Sequence, residues 1–245
     1  MLRYLVNFIY PPRCASCDRR FTPDVRRRLC IGCIGRLEAL PEPLCAVCGV
    51  PIAAAGGEGE GEGWCGRCIE SPPHFGRARA VARYRAGSDE DAQMLPKLIR
   101  RHKYGLDQSL AYALAECLGD PLPVEGNDYD LIMPVPLHPA RLRWRGFNQA
   151  ALLGHAVARR LRRPLDCGSL MRVRETDSQT GKDMRERRKN IREAFAVRRP
   201  ARVASRRVLL VDDVMTTGAT VDECARTLLA AGARRVDVLT LARAL

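Results

Sequence analysis

The sequence predicts an α/β protein: a parallel, Rossmann-like sheet with helices on both faces, preceded by a small module stapled through cysteines. Three observations carry that prediction. Eight of the 11 cysteines form four CxxC pairs within the first 68 residues. Beyond them, short apolar runs alternate with amphipathic helical patterns, as they do in βαβ units. One of these runs, VLLV at 208–211, ends in two adjacent carboxylates and the loop VMTTGAT.

The chain has 245 residues, 46% of them hydrophobic, enough for a packed core and too many for a disordered protein. Its net charge of +13 is concentrated: residues 141–207 hold 20 Lys and Arg against 6 Asp and Glu, while the remainder holds 21 against 22. A block this basic points to a polyanionic partner, either a phosphate-rich ligand or nucleic acid. The opening stretch MLRYLVNFIYPPRC is too short for a membrane span and lacks a small-residue cleavage site. No later window reaches the length of a transmembrane helix, so the expected protein has no membrane span of its own and is cytoplasmic.

In that setting the cysteines read as metal ligands rather than disulfides. The pairs are Cys14/Cys17, Cys30/Cys33, Cys45/Cys48 and Cys65/Cys68, with 12 residues between the first two pairs and 16 between the last two. A CxxC turn aims two thiolates at one centre, and two such turns complete a tetrahedral zinc shell. Sequential pairing, giving two tandem ribbons, is favoured over a crossed module. With four sulfurs at each site, the two zinc ions are structural and stabilise a module too small for a core of its own. The expected division is a double zinc ribbon over 1–72 and an α/β domain over 73–245. Cys117 and Cys224 fall in apolar helical patterns and are expected to be packed inside; Cys167 stands alone. GGEGEGEG, 56–63, reads as a flexible acidic loop.

After the Pro-containing boundary SPPHFGRA, VARYRA alternates as a strand. DEDAQMLPKLIRRHKYG reads as a helix disturbed by Pro96, and DQSLAYALAECLGD as a second helix ending near Gly119. YDLIMPVPL, 129–137, is a buried strand, HPARLRWRGFNQ a basic loop, and AALLGHAVARRL a helix. Residues 172–190 are polar and charged and read as an exposed, mobile excursion. AFAV and RRVLLVDD are strands, TVDECARTLLAAGA an amphipathic helix closed by Gly232, and RRVDVLTLARA the last strand.

Ligands of such sheets bind beyond the carboxyl ends of the strands, where Asp212 and Asp213 stand. The loop that follows, with Met215, Thr216, Thr217, Gly218, Ala219 and Thr220, runs directly into a helix and can wrap a phosphate with its backbone N–H groups. Two acceptors for a vicinal diol beside a phosphate cradle suit a ribose 5-phosphate, with Mg²⁺ in the ligand relieving the repulsion between the carboxylates. Arg141, Arg143 and Trp144 place an aromatic among basic side chains, suited to backbone contact and base stacking, although a buried role for Trp144 is as good a reading. Arg187, Arg188 and Lys189 extend the basic set. His102, His138 and His155 have no partner spacing that suggests a ligand or a base.

VLLVDDVMTTGAT resembles the phosphoribosyl pyrophosphate (PRPP) motif of type I phosphoribosyltransferases. The resemblance implies that Asp212 and Asp213 hold the ribose hydroxyls, that Thr216 to Thr220 hold the 5-phosphate, and that the excursion around 172–190 covers the site. It also implies that Arg145 and Gly146 belong to the pyrophosphate loop and that magnesium accompanies PRPP. Thr216 stands where the 6-oxopurine enzymes of this fold have a proton-exchanging Asp, so hypoxanthine or guanine salvage is not expected. Nor is there an N-terminal Cys nucleophile for glutamine-dependent chemistry. The cysteine module, PVPLHPARLRWRGFNQA (134–150) and TDSQTGKDMRERRKNIREAF (176–195) together resemble the ComF (ComFC) competence family over essentially the whole chain. That resemblance implies single-stranded DNA handling in the cytoplasm during natural transformation, with a helicase and the inner-membrane DNA channel as partners. The alternative it leaves open is an active phosphoribosyltransferase that releases pyrophosphate to an unidentified acceptor.

Overall fold

A computed structural model describes residues 6–8, 10–22, 27–53, 63–85, 94–105, 107–176 and 190–245. In the cysteine module, short helices α1 (Ile31–Ile34) and α2 (Gly66–Glu70) each begin directly after a cysteine of a CxxC pair. The larger unit follows as β1 (Ala78–Tyr84), α3 (Met94–Tyr104), α4 (Leu110–Cys117), β2 (Leu131–Pro134), α5 (Pro139–Arg145), α6 (Gln149–Leu161), β3 (Leu170–Arg172), β4 (Phe195–Val197), β5 (Arg207–Met215), α7 (Ala219–Ala230) and β6 (Arg235–Ala244). Four strands form a parallel sheet in the order β1-β6-β5-β2, as the βα alternation predicts.

Alternation along β5 splits the core in two. Leu209 and Val211 face one layer, built from α3, α4 and α6 with Leu98, Leu114 and Leu153. Val208 and Leu210 face the other, built from α7 with Val221, Cys224 and Leu228. A strand covered on both faces reads as a continuous apolar run, which is why VLLV carries no polar residue. Cys117 and Cys224 are fully buried in these layers, as their helical setting predicts, and Cys167 is exposed.

The cysteine module grips the sheet from both sides. Its first half contributes Cys14, Leu29, Cys30 and Cys33 to the α3–α4 layer. Its second half contributes Cys45, Val47, Cys48 and Cys68 to the α7 layer. The Glu116 carboxylate on α4 accepts from the backbone N–H groups of Arg28 and Leu29 at 2.7 and 2.9 Å. Val47 O of the second half, and Glu38 O of the segment between the halves, accept from Ala78 N and Arg83 N of β1, both at 2.7 Å.

Three elements depart from the sequence reading. HPARLRWRGFNQ contains a helix, α5, where a loop was expected. The His138 ring accepts from Ala140 N, Pro139 opens the first turn, and Gly146 closes it at φ +79°. The Pro and Gly that suggest a loop are thus the start and stop of one short helix. AFAV does not join the main sheet: β4 pairs antiparallel with β3 in a separate two-stranded sheet. Consequently the polar excursion begins later than residue 172, since Arg172 and Thr176 are buried. Residues 177–189, which make up most of that excursion, and 54–62, most of the acidic Gly-Glu loop, lie outside the described residues.

Candidate functional site

The four sulfurs of Cys14, Cys17, Cys30 and Cys33 form one cluster, and those of Cys45, Cys48, Cys65 and Cys68 a second, each with all sulfurs within 4.8 Å of one another. The pairing is therefore sequential. Sulfur–sulfur distances of 3.7 Å for Cys14–Cys33 and Cys17–Cys30 in the first cluster, and 3.6 Å for Cys48–Cys65 in the second, suit a tetrahedron around one metal in each. Zinc–sulfur bonds of 2.3 Å give a tetrahedral edge of about 3.8 Å. The donor set and its size fit two structural zinc ions with no ligand position left open.

Asp212 and Asp213 lie near the C-terminal end of β5, between β6 and β2 in the sheet. Their side chains point to opposite sides, as consecutive strand residues must. Asp213 is buried, and its Oδ2 lies 2.6 Å from Lys103 Nζ on α3. Burial opposes the charge on Lys103, but Asp213 outweighs it and raises the ammonium pKa. Asp212 keeps some exposure yet is otherwise enclosed by protein. Burial, and then the Asp213 charge, push its carboxyl up to about 7, partly offset by Lys103.

The chain leaves β5 through Met215, which is buried under the following turn, and Thr216, which is exposed. Gly218 stands at φ +81°, where a Cβ would meet Met215 Cε at 2.8 Å, so only glycine makes this turn without strain. The Thr217 hydroxyl accepts from Ala219 N at 3.3 Å, and Ala219 and Thr220 begin α7. Arg67, within the second cysteine cluster's last CxxC, donates to Thr217 O at 3.0 Å. The zinc module thus touches the loop that follows the two aspartates.

Arg145 reaches the site from the end of α5. Its Nη1 donates to Gln149 Oε1 at 2.8 Å, and Asp213 lies within its electrostatic reach. Gly146 shapes the turn behind it. The Arg145 guanidinium carbon lies 6.0 Å from the ring centroids of both Tyr104 and Trp144. Those rings are 64% and 60% exposed, which answers the question of whether Trp144 is a buried anchor: it is not. Arg141 does not point outward alone; it donates to Thr176 O at 2.9 Å, beside Arg172, which donates to the Thr176 hydroxyl. Arg143 is exposed, and Arg187, Arg188 and Lys189 lie outside the described residues. Among the histidines, His102 is buried against Phe147, His138 caps α5 and His155 is exposed.

Sequence reasoning missed Lys103, Tyr104, Arg172, Gln149 and Arg67 at this site. Lys103 and Tyr104 sit in RRHKYG at the end of α3, a string whose polar half looks like an ordinary solvated helix end. Arg172 sits in a strand too short to register as one, and is buried over Phe195 with its guanidinium carbon 5.6 Å from that ring.

The double zinc ribbon domain family matches residues 5–69, and the phosphoribosyl transferase domain family matches residues 148–245. Competence protein F of Haemophilus influenzae is 31% identical over 246 residues, spanning 98% of this chain and all of that one. The chain belongs to the ComF family. Its other ComF-type relatives include the DNA utilization protein YhgH of Escherichia coli O157:H7, 35% identical over 89% of this chain and 91% of its own. Competence protein ComFC of Bacillus subtilis is 26% identical over 94% of each chain. The ComF architecture, a double zinc ribbon followed by a type I phosphoribosyltransferase fold, is therefore the architecture of this protein. No helix among the described residues is long and apolar enough to cross a membrane.

A diol held by Asp212 would respond directly to the raised pKa of that carboxyl. Hydroxyls donate best to the charged carboxylate, so affinity should rise as pH climbs through about 7. Calorimetric titration of ribose 5-phosphate from pH 6 to pH 8 should show that rise. The expected profile loses this component in Asp212→Asn and keeps only the titration of the ligand's own phosphate.

Proposed function

We propose that this ComF-family chain binds Mg²⁺-PRPP, or another ribose 5-phosphate ligand, and handles single-stranded DNA in the cytoplasm during natural transformation. Asp212 and Asp213 take the ribose 2- and 3-hydroxyls. The turn from Thr216 to Thr220 takes the 5-phosphate, and Arg145 with Lys103 faces the pyrophosphate. Magnesium, when bound with PRPP, supplies charge neutralisation that the adjacent carboxylates cannot supply for each other. The names of the relatives, competence protein and DNA utilization protein, support the same direction. A helicase and the inner-membrane DNA channel are the partners this role would need.

The observation that carries the DNA reading is the exposed pair Tyr104 and Trp144 flanking Arg145. Two exposed rings around a guanidinium offer sequence-tolerant base stacking beside phosphate contact. Arg145 joins this platform to the aspartate pair, so an occupied pocket should alter the strand bound at its rim. Fluorescence anisotropy of a single-stranded oligonucleotide should show binding that weakens steeply with salt. Trp144→Ala should weaken it by about 1–3 kcal/mol, roughly five- to 150-fold. Saturating Mg²⁺-PRPP should shift the curve. No binding at low salt would remove the DNA half of the reading and leave the ribose-phosphate half standing.

A further inference from the structure

A cavity of about 600 Å³ opens between the second zinc ribbon and the loop after β5. Val50, Cys65 and Arg67 line it from the ribbon, Thr216 and Thr217 from the loop, and Arg243 from the end of β6. Neither aspartate of the ribose-phosphate site lines it. Arg243 is only 3% exposed, yet its Nε and Nη1 make no hydrogen bond among the described residues. Buried guanidinium nitrogens without acceptors are costly, so Arg243 calls for a partner.

We propose that this cavity is an oxyanion site, binding a carboxylate or phosphate group of a second ligand between Arg243 and Arg67. Two features point to an anion rather than a neutral occupant. Arg67 and Arg243 lie within electrostatic range of each other and repel, so a negative group between them relieves both. Arg67 is also held in place, its Nη1 fixed on Thr217 O, so the second guanidinium is already oriented. Arginine pairs recognise planar or tetrahedral oxyanions through parallel N–H groups. The thiolates of Cys48, Cys65 and Cys68 also attract Arg243, but its Nε and Nη1 donate to none of their sulfurs. The site lies beside the phosphate loop, and its occupant would be held next to the ribose-phosphate ligand without depending on it.

Inorganic phosphate is the probe. It is titrated by calorimetry into the zinc-loaded full chain held at saturating ribose 5-phosphate. The expected result is one additional binding event, weakened at least tenfold in Arg243→Met and in Arg67→Ala, with two zinc ions per chain in both variants. Absence of the additional event, or its persistence in both variants, overturns the proposal. Loss of zinc from Arg243→Met with phosphate binding intact in Arg67→Ala also overturns it, because Arg243 is then only the counter-charge of the thiolates. The ribose-phosphate reading fails separately, through unchanged ribose 5-phosphate affinity in Asp213→Asn.

Discussion

Cys48→Ser should leave one zinc ion per chain instead of two and lower the melting temperature by on the order of 10 °C or more. Cys48 is fully buried among the sulfurs of the second cluster, and a serine there cannot complete a four-sulfur shell. Structural zinc contributes about 10–16 kcal/mol in isolated fingers, as much as the whole stability of many domains. Even half of that, spread over a chain of this size, moves the transition by about 10–20 °C. Cys45, Val47 and Cys68 pack into the same core layer as α7, so the loss cannot stay local. Ribose 5-phosphate affinity should fall as well, because Arg67 would no longer hold Thr217 O. Metal analysis and a thermal melt read the two effects separately. A variant with full zinc, or with one zinc and an unchanged melt, would contradict the role assigned to the cluster.

Asp213→Asn should weaken ribose 5-phosphate binding about 10- to 100-fold, the value of one or two hydrogen bonds to a charged acceptor. It should also destabilise the protein, since Lys103 would face a neutral amide with only 25% of its side chain exposed. Removing one partner of a buried pair costs about 3–5 kcal/mol, and the partial exposure of Lys103 places this case near the lower end. The double variant Asp213→Asn/Lys103→Met tests the argument. It removes the stranded charge, so stability should return while binding stays weak. If stability and binding recovered together, Asp213 would not be a ligand residue. Chemical denaturation and calorimetry on the same three proteins give the answer.

The parts of this molecule legible in the sequence are those set by local spacing. Four CxxC pairs at regular separations specify two metal centres, because a CxxC turn acts over four residues, whereas the sequential pairing is read from the clustered sulfurs of the folded chain. VLLVDDVMTTGAT is legible because a strand, a glycine turn and a helix start follow one another in fixed order. What spacing cannot show is which distant side chain arrives at the site. Lys103 reaches Asp213 only because α3 packs over the sheet, and Arg243 reaches the second ribbon only because β6 ends beneath it. The reading of α5 as a loop failed for a different reason. Pro139 and Gly146 are equally good signals of a loop and of the two ends of a short helix, and seven residues hold no periodicity to decide between them.

The backbone contacts of Val47 and Glu38 with β1 bear on how this protein can be taken apart. β1 is the outer strand of the sheet, and without those contacts its N–H and C=O groups would face solvent in a row. Such an edge is a template for strand addition by another copy of the chain, and proteins protect it. Here the protection is supplied by the cysteine module itself. A version shortened to the α/β unit would then be prone to self-association, and chelation of intact protein would turn a monomer-compatible edge into an adhesive one.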